Sequence, residues 1–138
     1  MADILGSGVA EMSRVRSYTR VVSTDDGESA FEDAELHLNE QQVADGVPAM
    51  FVGALGPAHG VAFLRFAAFD SDPHPASEPQ WVVMLRGVIE VQVSDGTSRQ
   101  FGPGDLVLAT DTSGRGHITL TVGDPPFEAL IIPSAPAG

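Results

Sequence analysis

The sequence predicts an all-β fold built as one small β-barrel, and three observations support this prediction. Short segments rich in β-branched and other apolar residues recur at close spacing along the chain. Turn-forming residues separate them, since the 138 residues include 15 Gly and 10 Pro. Hydrophobic residues make up 43% of the chain, which is enough to form a core. Many short strands divided by Gly, Pro and Asp turns are typical of β-sandwiches and barrels.

Nine segments are predicted as strands from their apolar, β-branched or alternating character. Residues 32–38 alternate most clearly, with Ala34, Leu36 and Leu38 on one face and polar residues between them. The tripeptide 94–96, Ser-Asp-Gly, is a strong hairpin signal. In chain order the predicted strands are residues 15–23, 32–38, 49–55, 61–69, 81–85, 88–93, 106–109, 117–122 and 127–132.

Two segments between these strands are longer than simple turns. Residues 39–44, with the sequence NEQQVA, are the one stretch with the composition of a short helix. Residues 70–79 contain Pro73, Pro75 and Pro79. Proline lacks the amide proton that strand pairing needs, so this second segment is predicted to be a loop.

One domain is predicted for residues 15–133, because neither a composition shift nor an internal repeat divides them. Residues 1–14 are unpatterned and residues 134–138 are rich in Pro, Ala and Gly, so they are predicted as a flexible leader and a flexible tail. The N-terminus lacks the pattern of a secretory signal, and no apolar run is long enough to span a bilayer. A cytoplasmic location is therefore expected.

The charge balance is strongly acidic and narrows the range of partners. Asp and Glu number 19 against 7 basic residues, all of them Arg, for a formal net charge of -12. Such a surface repels nucleic-acid phosphates and anionic lipids, so neither nucleic acid nor a membrane is predicted as a partner. The chain has no Cys, which excludes disulfides, thiolate metal sites and cysteine nucleophiles.

Two stretches of the chain carry a motif pattern. In the first, Gln80 and Gly87 enclose six residues, and His74 lies upstream in the predicted loop. In the second, a Pro-Gly-Asp turn at 103–105 opens a segment that closes on Gly-Arg-Gly-His at 114–117. Over roughly residues 20–133 this pattern resembles the cupin superfamily, and in particular small single-domain bacterial cupins. The resemblance implies a jelly-roll β-barrel.

The chain departs from the cupin pattern at positions that matter for metal binding. The family's second His is replaced by Ala76, and its Glu by Gln80. The resemblance implies that His74, Gln80 and His117 converge near the centre of the barrel. Two imidazoles and a neutral amide are a weak set for a transition metal. No cofactor is therefore firmly predicted, although these three residues are the candidates for a divalent transition metal, with Glu78 or Asp111 as substitute carboxylates.

Without a metal, the same three residues suit acid–base catalysis. Histidine exchanges protons near neutral pH, so His117 is predicted as the general acid or base, assisted by His74. Gln80 is predicted to orient the substrate by donating a hydrogen bond to a carbonyl or enolate oxygen. The competing structural interpretations are a surface-exposed His74, a hydrogen-bonded core His117 and a Gln80 that bonds only to backbone.

A small-molecule pocket is predicted around this trio. Arg65 is a candidate for binding a substrate carboxylate, and Thr119 shares the strand face of His117. Apolar walls, which small-molecule sites usually have, are predicted from Phe63, Phe69, Trp81 and Met84.

These residues favour a small-molecule enzyme, an isomerase, cyclase or lyase acting on a carbonyl-containing metabolite. The alternatives are a metal-dependent cupin dioxygenase or lyase, and a cupin that binds a small molecule without catalysis. The resemblance also implies a homodimer. In the second motif, Asp111 is expected to cap the loop and to pair with Arg115.

Overall fold

The predicted all-β fold is confirmed. The structure is a computed structural model that describes residues 14–134. Every regular element in that range is a β-strand. The described residues contain no helix that is long and apolar enough to cross a bilayer. The strands are β1 Val15–Ser23, β2 Ser29–His37, β3 Asn39–Gln41, β4 Met50–Val52, β5 Ala62–Phe66, β6 Gln80–Arg86, β7 Val88–Val93, β8 Ser98–Phe101, β9 Leu106–Ala109, β10 His117–Val122 and β11 Phe127–Pro133.

The strands form three sheets. A six-stranded sheet has the order β2-β1-β9-β6-β11-β5, a three-stranded sheet the order β10-β7-β8, and β3 and β4 form a hairpin of their own. Strands β1 and β9 pair in parallel, whereas the pairs β9–β6, β6–β11 and β11–β5 are antiparallel. Apart from Arg14 and Ser134, the predicted leader and tail lie outside the described residues.

Contacts divide the chain into two compact units, and the smaller one contains the β3–β4 hairpin. Within the described residues this unit comprises 14–17 and 35–55. The amide of Leu38 donates to the carbonyl of Arg14 at 2.7 Å, and the Arg14 guanidinium lies 4.8 Å from the centre of the Phe51 ring. Residues 39–44, the one stretch with the composition of a short helix, do not form one, because Asn39–Gln41 pairs antiparallel with Met50–Val52.

The larger unit, residues 18–34 and 56–134 as far as they are described, is a two-sheet barrel with the core between its sheets. Strand β7 shows how the sequence builds it, because Ile89, Val91 and Val93 are buried while the residues between them are not. Alternate side chains of a strand point to opposite faces. From the six-stranded sheet, the core residues facing β7 include Val21, Met84, Val107 and Ala129.

The β7–β8 hairpin forms where the Ser-Asp-Gly signal predicts it, but β8 itself escapes sequence analysis. Its sequence, SRQF, is mostly polar and offers no alternation of apolar residues. The turn is held by Asp95, whose carboxylate accepts hydrogen bonds from the Thr97 hydroxyl at 2.6 Å and the Thr97 amide at 2.9 Å. These bonds lower the pKa of the Asp95 carboxyl below its ordinary value.

Candidate functional site

A segment without regular strand structure, residues 69–76, runs along the outer edge of β10. His74 and His117 exchange two backbone hydrogen bonds, each 3.0 Å long. Further along, the amide of Ser71 donates to the carbonyl of Thr119 at 2.9 Å, and the amide of Thr119 donates to the Ser71 hydroxyl at 2.8 Å. The proline-containing loop therefore acts as an irregular strand and holds the two imidazole rings with their centres 5.2 Å apart.

Gly116 makes this close approach possible. Its φ of +70° lies in the left-handed region that side chains disfavour. A Cβ at this position would lie 2.1 Å from the backbone carbonyl of His74. A glycine immediately before His117 is therefore a condition for the pairing of the two histidines.

A buried carboxylate orients His117. Asp111 is fully buried, and its Oδ2 lies 2.5 Å from Nδ1 of His117, whose side chain is 13% exposed. Its other oxygen, Oδ1, has no hydrogen-bond partner among the described residues. The carbonyl of Asp111 accepts a bond from the amide of Ala76 at 2.9 Å, which ties the 69–76 segment to the same loop. Because burial of a carboxylate is costly, its bond to the imidazole is strongly favoured.

The two histidines face a cavity of about 390 Å³ between the sheets. Strand alternation supplies its lining, since Gln80, Val82 and Met84 project from one face of β6, and His117 and Thr119 from one face of β10. A smaller space of about 60 Å³ deeper in the barrel shares several of these residues, including Gln80, His117 and Thr119. The remaining lining of the larger cavity is Leu64, Arg65, Phe66, Phe69, His74, Ile89, Ala129 and Ile131.

The structure brings together the three predicted site residues His74, Gln80 and His117 around this cavity. Of the predicted pocket residues, Arg65, Phe69, Met84 and Thr119 also line it. Their chemical roles remain predictions.

The expectation for Phe63 and Trp81 is corrected, because neither lines the cavity. Trp81 lies between Gln80 and Val82 and therefore projects from the opposite face of β6, where its ring centre is 4.8 Å from that of Tyr18. Phe63 precedes the lining residue Leu64 on the edge strand β5 and is 54% exposed.

Arg65 lies at the rim of the cavity, where its charge is paired with that of Glu128. Its Nε donates to Oε2 of Glu128 at 2.8 Å, and the two residues are direct cross-strand partners in β5 and β11. The Arg65 side chain is 67% exposed, whereas that of Glu128 is 15% exposed. The guanidinium is therefore engaged by a protein carboxylate rather than presented unpaired to a ligand.

Asp111 is the functional candidate to which sequence reasoning gave the wrong partner. The expected pair with Arg115 is wrong, because Arg115 lies 3.3 Å from Glu28 while Asp111 bonds to His117. Asp111 precedes His117 by six positions, and the residues between them form a loop, so no strand or helix periodicity places the two side chains together. The only indication of this bond in the sequence is that Asp111 is an acidic residue in the loop that ends at His117.

The residues around the cavity do not fit a tightly bound transition metal. Within residues 14–134, no group of three or more His, Asp or Glu side chains lies where it could hold one ion. Gln80 is neutral, and the one carboxylate beside His117 is bonded to Nδ1 of that ring. We therefore derive no step through a metal.

Comparisons with known proteins give low similarity. No protein-family model matches the chain, and no curated protein matches its sequence. NMB1881 from Neisseria meningitidis has 11% identity and a TM-score of 0.42, covering 94% of this chain and 96% of that chain. A Salmonella typhimurium LT2 protein provisionally described as ethanolamine utilization protein Q has 12% identity and a TM-score of 0.42, covering 90% and 100%. At these values neither similarity supports an argument about function, and the fold assignment rests on this chain's own strand pairing.

Proposed function

We propose that this protein is a cupin-type small-molecule enzyme that performs acid–base chemistry on a carbonyl-containing metabolite inside the barrel. The observation that carries the proposal is the buried Asp111 carboxylate, 2.5 Å from Nδ1 of His117, behind a ring that faces a cavity of about 390 Å³. A histidine oriented by a buried carboxylate is a recurrent arrangement for proton transfer. The residues of the cupin-like motifs, Gln80 and His117, both belong to this site.

The Asp111 bond selects the tautomer of His117. A carboxylate only accepts hydrogen bonds, so Nδ1 carries the proton and donates it. In the neutral ring this leaves the lone pair on Nε2, which has no partner among the described residues. His117 is then a base toward a ligand in the cavity, and the carboxylate stabilises the imidazolium that forms when Nε2 accepts a proton.

The proposed reaction is proton transfer next to a carbonyl group. The C–H bond α to the carbonyl breaks and the proton goes to Nε2 of His117. The electron pair of that bond forms the C=C bond of the enolate, and the π pair of the carbonyl moves onto the oxygen. Return of the proton from Nε2 to a different carbon of a conjugated enolate completes an isomerisation. Attack of the enolate carbon on a second carbonyl of the same molecule forms a C–C bond and an alkoxide, and the alkoxide takes the proton back from Nε2 to complete a cyclisation. No redox partner is needed for either outcome.

Gln80 and His74 are proposed to assist at the oxygen. Gln80 has an amide NH₂ that can donate to the enolate, where negative charge develops. His74 has Nδ1 3.1 Å from the carbonyl of Pro75, so its Nε2 is the nitrogen left for a ligand. The apolar side chains around these groups lower the local dielectric and strengthen such bonds.

The experiment is exchange of α-hydrogens for deuterium, which does not require the natural substrate. Two small ketones, 1-tetralone and 2-acetylnaphthalene, are incubated in D₂O with untagged protein, and NMR follows the loss of α-hydrogen signals. We expect exchange above buffer background, with a loss on the order of 10²–10⁴-fold in His117→Gln. Asp111→Asn should lose much of the activity as well, because an amide can donate to Nδ1 and favour the wrong tautomer.

The matched control is His59→Gln. His59 is exposed, pairs with Glu78 at 2.8 Å and does not line the cavity, so its replacement should leave exchange unchanged. Exchange that survives in His117→Gln would refute the assignment of the base. Ketone binding to the unmodified protein without any exchange would instead support a binding function.

A further inference from the structure

We infer that the cavity selects an uncharged, largely apolar carbonyl compound and discriminates against carboxylates. The carbonyl part of this inference rests on the proposed function, whereas the preference for a neutral ligand rests on the charges around the cavity. It departs from the sequence-based expectation that Arg65 binds a substrate carboxylate. The residue that reverses that expectation is Glu128.

Glu128 neutralises the one permanently charged side chain among the described residues that line the cavity. The lining includes Arg65 but no Asp, Glu or Lys. The Arg65 Nε and the Glu128 carboxylate are 2.8 Å apart. Cross-strand pairing between β5 and β11 holds the two residues directly opposite each other. A ligand carboxylate would have to compete with a partner that is already positioned, so the rim offers little net attraction to an anion.

The inner end of the cavity is also unfavourable for an anion. The buried Asp111 carboxylate lies directly behind His117, and its second oxygen has no hydrogen-bond partner in the described part of the chain. While the His117 ring is neutral, a ligand carboxylate beside it would face the negative charge of Asp111 across the ring. The chain as a whole adds a formal charge of -12. A neutral carbonyl oxygen meets no such repulsion and can accept from Gln80.

The apolar lining and the volume of the cavity indicate what kind of group is attached to the carbonyl of the ligand. Most lining residues are apolar, and Phe66 is fixed between two aromatic rings, with its centre 5.4 Å from that of Phe69 and 5.5 Å from that of Phe127. The volume of about 390 Å³ lies at the lower end of the range of about 300–1,000 Å³ typical of small-molecule sites. These features fit a compact ketone with an aromatic or alicyclic body.

Two probes of nearly equal size test the inference, namely 2-acetylnaphthalene, which is neutral, and 2-naphthoate, which is a carboxylate. Their dissociation constants are measured by NMR titration of the full chain. We expect the ketone to bind on the order of tenfold more tightly than the carboxylate. Glu128→Gln should raise the affinity for 2-naphthoate by about fivefold or more, because it releases the Arg65 guanidinium, and should leave the ketone affinity unchanged.

Two further variants make the result specific. The double variant Arg65→Gln/Glu128→Gln should return the affinity for 2-naphthoate to that of the unmodified protein. Glu32→Gln changes the net charge by the same amount at an exposed position outside the cavity, and should alter neither affinity. Equal affinity for the two probes, no response to Glu128→Gln, or binding of neither probe would each overturn the inference.

This inference and the proposed function are tested separately, because the titration measures binding and the deuterium exchange measures catalysis. If the ketone still binds in preference to the carboxylate but deuterium exchange is absent even in the unmodified protein, the selectivity stands and the catalytic proposal fails. If exchange occurs and the carboxylate binds as tightly as the ketone, the catalytic proposal stands and the inferred selectivity is wrong.

Discussion

The two walls of the cavity are built in different ways. One wall is formed by β10 and the 69–76 segment, which are joined by backbone and side-chain hydrogen bonds and carry the two histidines. We call it the bonded wall. The opposite wall includes β5, an edge strand of five residues of which only Phe66 is not exposed. The two histidines lie on the bonded wall, whereas the third polar group, Gln80, lies on β6, which pairs with a strand on each side in the six-stranded sheet. Contacts that only need an apolar surface lie on the exposed strand β5. The difference suggests that precise positioning is concentrated where the hydrogen bonds are.

The largest effect on the free energy of unfolding is expected from Gly116→Ala, which breaks the bonded wall. The new Cβ would lie 2.1 Å from the His74 carbonyl and would also strain the backbone at a φ of +70°. We expect a loss of about 2–4 kcal/mol, measured by chemical denaturation. Gly123→Ala is the matched control, because its φ is +90° but no atom lies within 4 Å of the added carbon.

The control variant should lose only the conformational cost of a left-handed residue, about 1–2 kcal/mol. Equal losses in the two variants would show that the 69–76 segment is not packed against Gly116 in solution.

A smaller effect is expected from Ser71→Ala, which removes one bond of the same wall. The Ser71 hydroxyl accepts from the amide of Thr119 at 2.8 Å. Its loss should destabilise the protein by about 1 kcal/mol and speed hydrogen exchange of the Thr119 amide. Ser77→Ala, at an exposed position in the same loop, should change neither quantity. Unchanged exchange at Thr119 would contradict the account of how this segment is held.

The smallest effect on stability is expected from Phe63→Lys on the exposed strand β5. Phe63 is 54% exposed and lies outside the cavity lining. The free energy of unfolding of a monomer should therefore change by less than about 0.5 kcal/mol. This edge strand is where we expect the homodimer implied by the cupin resemblance to form, since Phe63 and Leu64 on the strand and Val61 just before it are exposed apolar residues.

The measurement for this variant is the sedimentation velocity of the unmodified and the Phe63→Lys protein. A dimer that the lysine converts to a monomer would support pairing at β5. A dimer unaffected by the lysine would place the interface elsewhere, and a monomeric unmodified protein would refute the homodimer.

Local patterns in the sequence predicted much of the fold. The predicted bounds of β1, β7, β9 and β10 coincide with those in the structure, because apolar alternation and turn residues are properties of neighbouring positions. Strands β3 and β8 are not predicted by these local patterns. Both are short and polar, and they become strands only because a partner strand lies beside them.

For the site, the sequence indicated which residues to examine but not how they are paired. The motif pattern singled out Gln80 and His117, and a resemblance brought His74 into consideration. The bond from Asp111 to His117 depends on the path of the 111–117 loop, which no periodicity encodes. The exclusion of Trp81 from the cavity follows once Gln80 is known to face inward, since neighbouring residues of a strand point to opposite faces.

By itself, the sequence determined that the chain forms short strands, that its charge is strongly negative, and that thiol chemistry is absent. Only the tertiary structure decided that His117 is oriented by a buried carboxylate and that Glu128 engages Arg65. Strand formation depends on local composition and spacing. Pairing of charges depends on which strands and loops are adjacent, and this is set by long-range backbone hydrogen bonds and by burial of the shared core.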